Sequence, residues 1–181
     1  MSGFLKKMKR LALMLIGLLL VGCSNQANSG YSSQDIMFAE MMIPHHQQAI
    51  QMSDLALKNS TNADVLALAQ EIKDAQALEI EQMKSWGASS MAHMGHMMDG
   101  MLSDEEMSEL TAATGSSFDK LFLEGMIKHH QGAIDMAEMV IDSKNSEVAA
   151  LAKAIIEAQR AEISKMKDLL SALGNGWEIL L

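Results

Sequence analysis

The chain contains one cysteine, one proline and only 4% aromatic residues. A lone cysteine excludes an intramolecular disulfide, so no covalent staple holds the fold. β-branched runs are absent, which removes the usual material of sheets and leaves the composition of an all-helical protein. No glycine-rich loop is placed to cradle a phosphate, and no Ser/His/Asp arrangement can be assigned, so phosphoryl and acyl transfer lack a basis. Basic residues are also short: 14 against 23 acidic ones, for a net charge of −9.

The N-terminus is different from the rest. Lys6, Lys7, Lys9 and Arg10 precede an apolar run from Leu11 to Val21. At 11 residues the run is too short to span a bilayer, but it has the length of a signal-peptide core. It ends in Leu20-Val21-Gly22-Cys23. This ending resembles the lipobox of bacterial lipoproteins, which implies cleavage after residue 22, lipidation of Cys23 and a membrane anchor. Residues 23–33 then read as a flexible tether, since they are polar and lack periodicity. The signal peptide takes four of the basic residues and none of the acids, so the remaining 159 residues carry a net charge of −13. Such a surface repels nucleic acid and attracts cations. Methionine is abundant, with 18 in the chain.

Residues 34–181 repeat one helical hairpin. Met42-Ile43-Pro44-His45-His46-Gln47-Gln48-Ala49-Ile50-Gln51-Met52 returns 84 positions later as Met126-Ile127-Lys128-His129-His130-Gln131-Gly132-Ala133-Ile134-Asp135-Met136. Four of the six histidines lie in these two segments. Ser32 with Asp35, and Ser116 with Asp119, have the capping-box form that opens a helix. Phe38, Met42, His45, Ala49, Met52 and Ala56 alternate spacings of four and three, as do their counterparts from Phe122. That is an inward seam, with one histidine of each pair on it and the other on the adjoining stripe. Pro44 has no counterpart and predicts a kink that makes the copies unequal. Turn compositions at 58–62 and 143–146 lead into second helices. Gln76 and Gln159 come level with His45 and His129, and Glu79 and Glu162 stand one turn further along. A polar layer inside an apolar bundle is either a hydrogen-bond network or a metal site in which Glu orients a ligating imidazole.

Hairpin 1 covers about 34–87 and hairpin 2 about 116–173. Between them, at 88–115, lie a Met/His-rich linker and a short helix capped by Ser103 and Glu106. The linker includes Met91, His93, Met94, His96, Met97 and Met98, a composition that builds no helical face but suits Cu(I) or Ag(I). The tail from Trp177 is expected to pack on the bundle end.

Together, the doubled Met-Ile-x-His-His with its Gln, Ala-Ile and Met, the Met/His linker, and Phe118-Asp119-x-Leu121-Phe122-Leu123 resemble the domain of unknown function 305 family, over about 34–172. Those are bacterial ferritin-like antiparallel four-helix bundles, and the group includes periplasmic copper-binding proteins. The resemblance implies an all-α, ferritin-like bundle of two duplicated hairpins that binds copper in the cell envelope for copper tolerance, without catalysis. The metal donors to weigh are His45, His46, His129, His130, Met42, Met52, Met126, Met136 and the linker side chains. Two other readings stand beside it. One is a structural bundle with hydrogen-bonded core histidines. The other is a metal-dependent oxidase, disfavoured because no glutamate stands three residues before any histidine. A homodimer or a protein that exchanges metal with the chain are partners the pattern leaves open.

Overall fold

Short polar side chains decide where each helix begins. In the computed structural model, which describes residues 30–88 and 98–175, Ser32 accepts from Asp35 N while the Asp35 carboxylate accepts from Ser32 N. This reciprocal cap opens α1 (Ser33–Asn59). Asn62 caps α2 (Ala63–Ser85) by accepting from Asp64 N and Val65 N. Ser103 and Glu106 cap α3 (Asp104–Ala112) as a second reciprocal box. Helix α4 spans Gly115–Glu138 and α5 spans Ser146–Asn175. Asn145 caps α5 by accepting from Glu147 N and Val148 N, repeating Asn62 at an offset of 83. No strand occurs among the described residues, and none of their helices is long and apolar enough to cross a membrane.

Two local expectations are altered. The Ser116–Asp119 box does not form: α4 starts two residues earlier, from Thr114, which makes no side-chain cap. Gly115, at φ +60, turns the chain into the helix there, so Ser116 lies inside it and Asp119 is buried at 3% exposure. Helix α4 also ends sooner than its counterpart. Its last turn tightens, with Met139 N bonding Met136 O and Val140 N bonding Ala137 O, and the Met139 carbonyl accepts from Gln34 instead. α1 runs helical on both sides of Pro44. The tail from residue 176, the apolar run from Leu11 to Val21 and Cys23 lie outside the described residues.

The result is an antiparallel four-helix bundle with α3 packed against α1 and α4. Ion pairs trace the pairing: Lys73 with Asp54 joins α2 to α1, Arg160 with Glu138 joins α5 to α4, and Lys165 with Glu71 joins α5 to α2. Each is exposed and contributes at most about 1 kcal/mol. Burial does the larger part, through Phe38, Phe118, Phe122, Leu68, Ile72 and their neighbours, at about 1.5–3 kcal/mol for each large side chain. This apolar interior is not continuous. One cluster gathers Phe38, Met42, Ile80, Met83, Ala133, Met136 and Val148, and another gathers Ala49, Met52, Leu68, Phe118, Phe122, Met126 and Met166. Between them, on α1 and α4, lie the histidines.

Candidate metal centre

The seam predicted from spacing brings His45 and His129 together at the pseudo-twofold axis. Their ring centroids are 3.8 Å apart, tilted by 41°. His46 and His130 turn outward from that pair to α2 and α5. All four histidines have no measurable exposure. His46 Nε2 lies 2.7 Å from Glu79 Oε2, and His130 Nε2 lies 2.7 Å from Glu162 Oε2. His129 Nε2 lies 3.0 Å from the His45 carbonyl oxygen.

The oxygen partners assign the tautomer that each of these rings has in its neutral form. A carbonyl or carboxylate oxygen accepts, so Nε2 donates in all three bonds and the neutral ring keeps its lone pair on Nδ1. The Nδ1 atoms of His46, His129 and His130 are buried with no hydrogen-bond partner, as are both ring nitrogens of His45. Gln76 and Gln159, each 3% exposed, have unpartnered amide nitrogen and oxygen atoms as well. Buried polar atoms ordinarily find partners, and leaving one unpaired costs about 1–3 kcal/mol. A concentration of them in one layer is therefore an expense that packing does not explain. The donor chemistry fits a soft or borderline metal: imidazole lone pairs in the layer, thioethers on both sides of it, and a carboxylate behind two of the rings. Met42 flanks the layer in one cluster and Met126 and Met52 flank it in the other, all fully buried, while Met136 is 8% exposed. Among the described residues, no group of three or more His, Cys, Asp or Glu is arranged to hold an ion.

Burial, then the neighbouring His46, pushes the His45 ring down to about 3; the Asp99 backbone, close to the ring but short of a well-aligned hydrogen bond, pulls it up by more than the more distant His130 pushes it down. Burial and the other three rings hold His129 well below the ordinary range. Both rings are neutral in the fold and take a proton only on unfolding, near 6.5. Their contribution to stability is thus fully present above 6.5 and is lost as the pH falls from there toward 3. The expected slope is about 1.4 kcal/mol per pH unit for each ring in that window. Urea unfolding of the metal-free protein between about pH 7.5 and about pH 5 checks this, and an unchanged midpoint would show that neither ring is held neutral.

One part of the site was not anticipated. Residues 98–102 cross α1 and α4 as a strap beside the histidine layer. Gln48 grips it at both ends of one residue, donating from Nε2 to Leu102 O at 2.9 Å and accepting at Oε1 from Leu102 N at 2.8 Å. The matched position on α4 is Gly132, where a Cβ would overlap the Asp99 carbonyl oxygen and come within 2.9 Å of Gly100 Cα. The repeat did carry a signal, since Gln48 and Gly132 disagree where their surroundings agree. Met98 is half-buried against the first apolar cluster. Met91, His93, Met94, His96 and Met97 lie outside the described residues.

A duplicated helical hairpin with paired histidines facing across its axis defines a class of all-α bundle proteins. The chain belongs to the family described as Domain of unknown function (DUF305), which it matches over residues 35–170. Among solved structures it is similar to a candidate secreted DUF305 protein of Streptomyces coelicolor, at 32% identity and TM-score 0.72, over 78% of this chain and 94% of that one. A DUF305 fragment from Deinococcus radiodurans gives 33% identity and TM-score 0.70, over 78% and 97% of the two chains. CopM in its Cu(I)-bound form gives 33% identity and TM-score 0.65, over 76% and 96%. CopM is also known in Cu(II)-bound, Ag-bound and apo forms. A comparison with curated proteins finds no match.

Proposed function

We propose that this protein binds copper in the cell envelope, Cu(I) foremost, with Cu(II) and Ag(I) as further cargo, and sequesters it or hands it on. The observation that carries the reading is the set of imidazole nitrogens left unpartnered in a buried layer, three of them with the tautomer that presents Nδ1. The similarity to CopM in copper- and silver-bound forms supports it. In this reading His45, His46, His129 and His130 supply nitrogen donors, Met42, Met52, Met126 and Met136 supply sulfur, and Glu79 and Glu162 hold two rings in place. The Met/His linker, Met91 to Met98, adds further soft donors, and Cys23 carries the lipid that keeps the protein at the membrane. No reaction is assigned to it.

A competitive Cu(I) titration of the full chain against a chromogenic chelator tests the proposal. Changing Glu79→Gln and Glu162→Gln together is expected to weaken binding about 10–100-fold, because an amide orients and polarises an imidazole less well than a carboxylate. The fold should persist, since the amide oxygen still accepts from Nε2. If the unaltered chain competes no better than a plain helical bundle, the histidines are structural and the copper reading is wrong.

A further inference from the structure

The two hairpins differ in what covers the boundary between α1 and α4. Across the repeat, Met37 answers to Leu121, Met41 to Gly125 and Met139 to Leu55. At the α3 end, Leu121 and Leu55 are half-buried against the cluster that contains Leu102 and Leu110. Gly125 leaves room there, since the Leu102 Cδ2 and Met52 Cε atoms would stand 3.1 and 3.3 Å from a Cβ on it.

At the opposite end the same positions carry thioethers. Met37 is 46% exposed and Met139 47% exposed, and Met41 stands where the other half has glycine. Met37 and Met41 lie one helical turn apart on α1, so they share a face. Met139 follows Met136 through the tight turn that closes α4, with Met139 N 3.3 Å from Met136 O. Two contacts hold these ends side by side: Gln34 Nε2 donates to Met139 O at 2.9 Å, and Ser143 Oγ donates to Asp35 Oδ1 at 2.7 Å. Met41 packs against the cluster that contains Met136, which is 8% exposed. Leucine would serve packing equally at these places and avoids an oxidisable sulfur. What methionine adds is a soft donor on a flexible stem.

We infer that Met37, Met41 and Met139 form a second, all-thioether site at the protein surface for a soft monovalent cation, Cu(I) or Ag(I), distinct from the buried histidine layer. The inference rests on the copper-binding reading and gives it a point of entry: a site open to solvent, on the same two helices whose middle turns carry His45 and His129. Low coordination number and sulfur donors favour a monovalent d10 ion over a harder divalent one there.

The test is methionine-methyl NMR of the full chain, with 13C-labelled methionine, titrated with Ag(I), which does not change oxidation state. The methyls of Met37, Met41 and Met139 should shift. A Met37→Leu/Met41→Leu/Met139→Leu variant, nearly isosteric, should lose one bound equivalent while the His45 and His129 ring signals still respond. Shifts at the histidine rings without shifts at these three methyls would overturn the inference and leave the copper reading intact. No metal-dependent shift anywhere would overturn both. Shifts that follow protein concentration and not metal would show that the face pairs two copies of the chain, which also overturns it.

Discussion

Replacing His45 and His129 together by leucine is expected to stabilise the metal-free protein, by about 1–3 kcal/mol, while costing Cu(I) affinity about 100-fold or more. The two rings meet at the axis, tilted by 41°, and three of their ring nitrogens are buried and unpartnered. Leucine has a similar volume and no polar atom to desolvate, and apolar replacement of an unsatisfied polar group is neutral or favourable. The one hydrogen bond lost runs from His129 Nε2 to the His45 carbonyl, an oxygen inside α1 that also faces the helical N–H four residues on. Urea unfolding without metal and the chelator titration are the two measurements. Opposite movement of stability and affinity identifies a layer kept for binding. Loss of stability in the double variant would instead show that the rings hold the helices in register, as the structural reading requires.

The second large effect is expected at Gly132. An alanine there meets the backbone of Asp99 and Gly100, which cannot rotate away as a side chain would. Such overpacking costs about 1–3 kcal/mol, and alanine's better helix propensity offsets up to about 1 kcal/mol of it. Gly132→Ala should therefore lower the urea midpoint and free the strap, which amide exchange at Leu102 would report as lost protection. Gly125→Ala is the matched control. Its nearest neighbours are side-chain ends at 3.1 and 3.3 Å, which can give way, so it should be close to neutral. Equal behaviour of the two variants would mean that the strap is only loosely seated.

Most of the fold was legible because helices, seams and turns are local or periodic properties. Phe38, Met42, His45, Ala49 and Met52 declare an inward face by spacing alone, and the same face recurs from Phe122. Hairpin register brought Gln76, Glu79, Gln159 and Glu162 toward the histidine layer, since a short turn between antiparallel helices leaves little freedom in what stands level with what, but it did not say which ring each carboxylate meets. The start of α4 misled because Ser116 and Asp119 look like a cap, while the left-handed Gly115 and the pull of Phe118 into the core set the start earlier. The strap was hidden for a different reason. Its grip is long-range, 54 residues from Gln48 to Leu102, and no periodicity encodes such a contact. Which donors meet one ion was equally beyond spacing, because it depends on the ring tautomers and on the cluster to which each thioether belongs.

Gln48 and Gly132 occupy one position of the repeat, yet one holds the strap by reaching for it and the other by standing aside. Two copies of hairpin 1 would present two reaching amides and no clearance. Two copies of hairpin 2 would present clearance and nothing to grip. The halves have become complementary as a lock and its bolt are, so the doubled ancestor that their similarity records is no longer recoverable by pairing either half with itself.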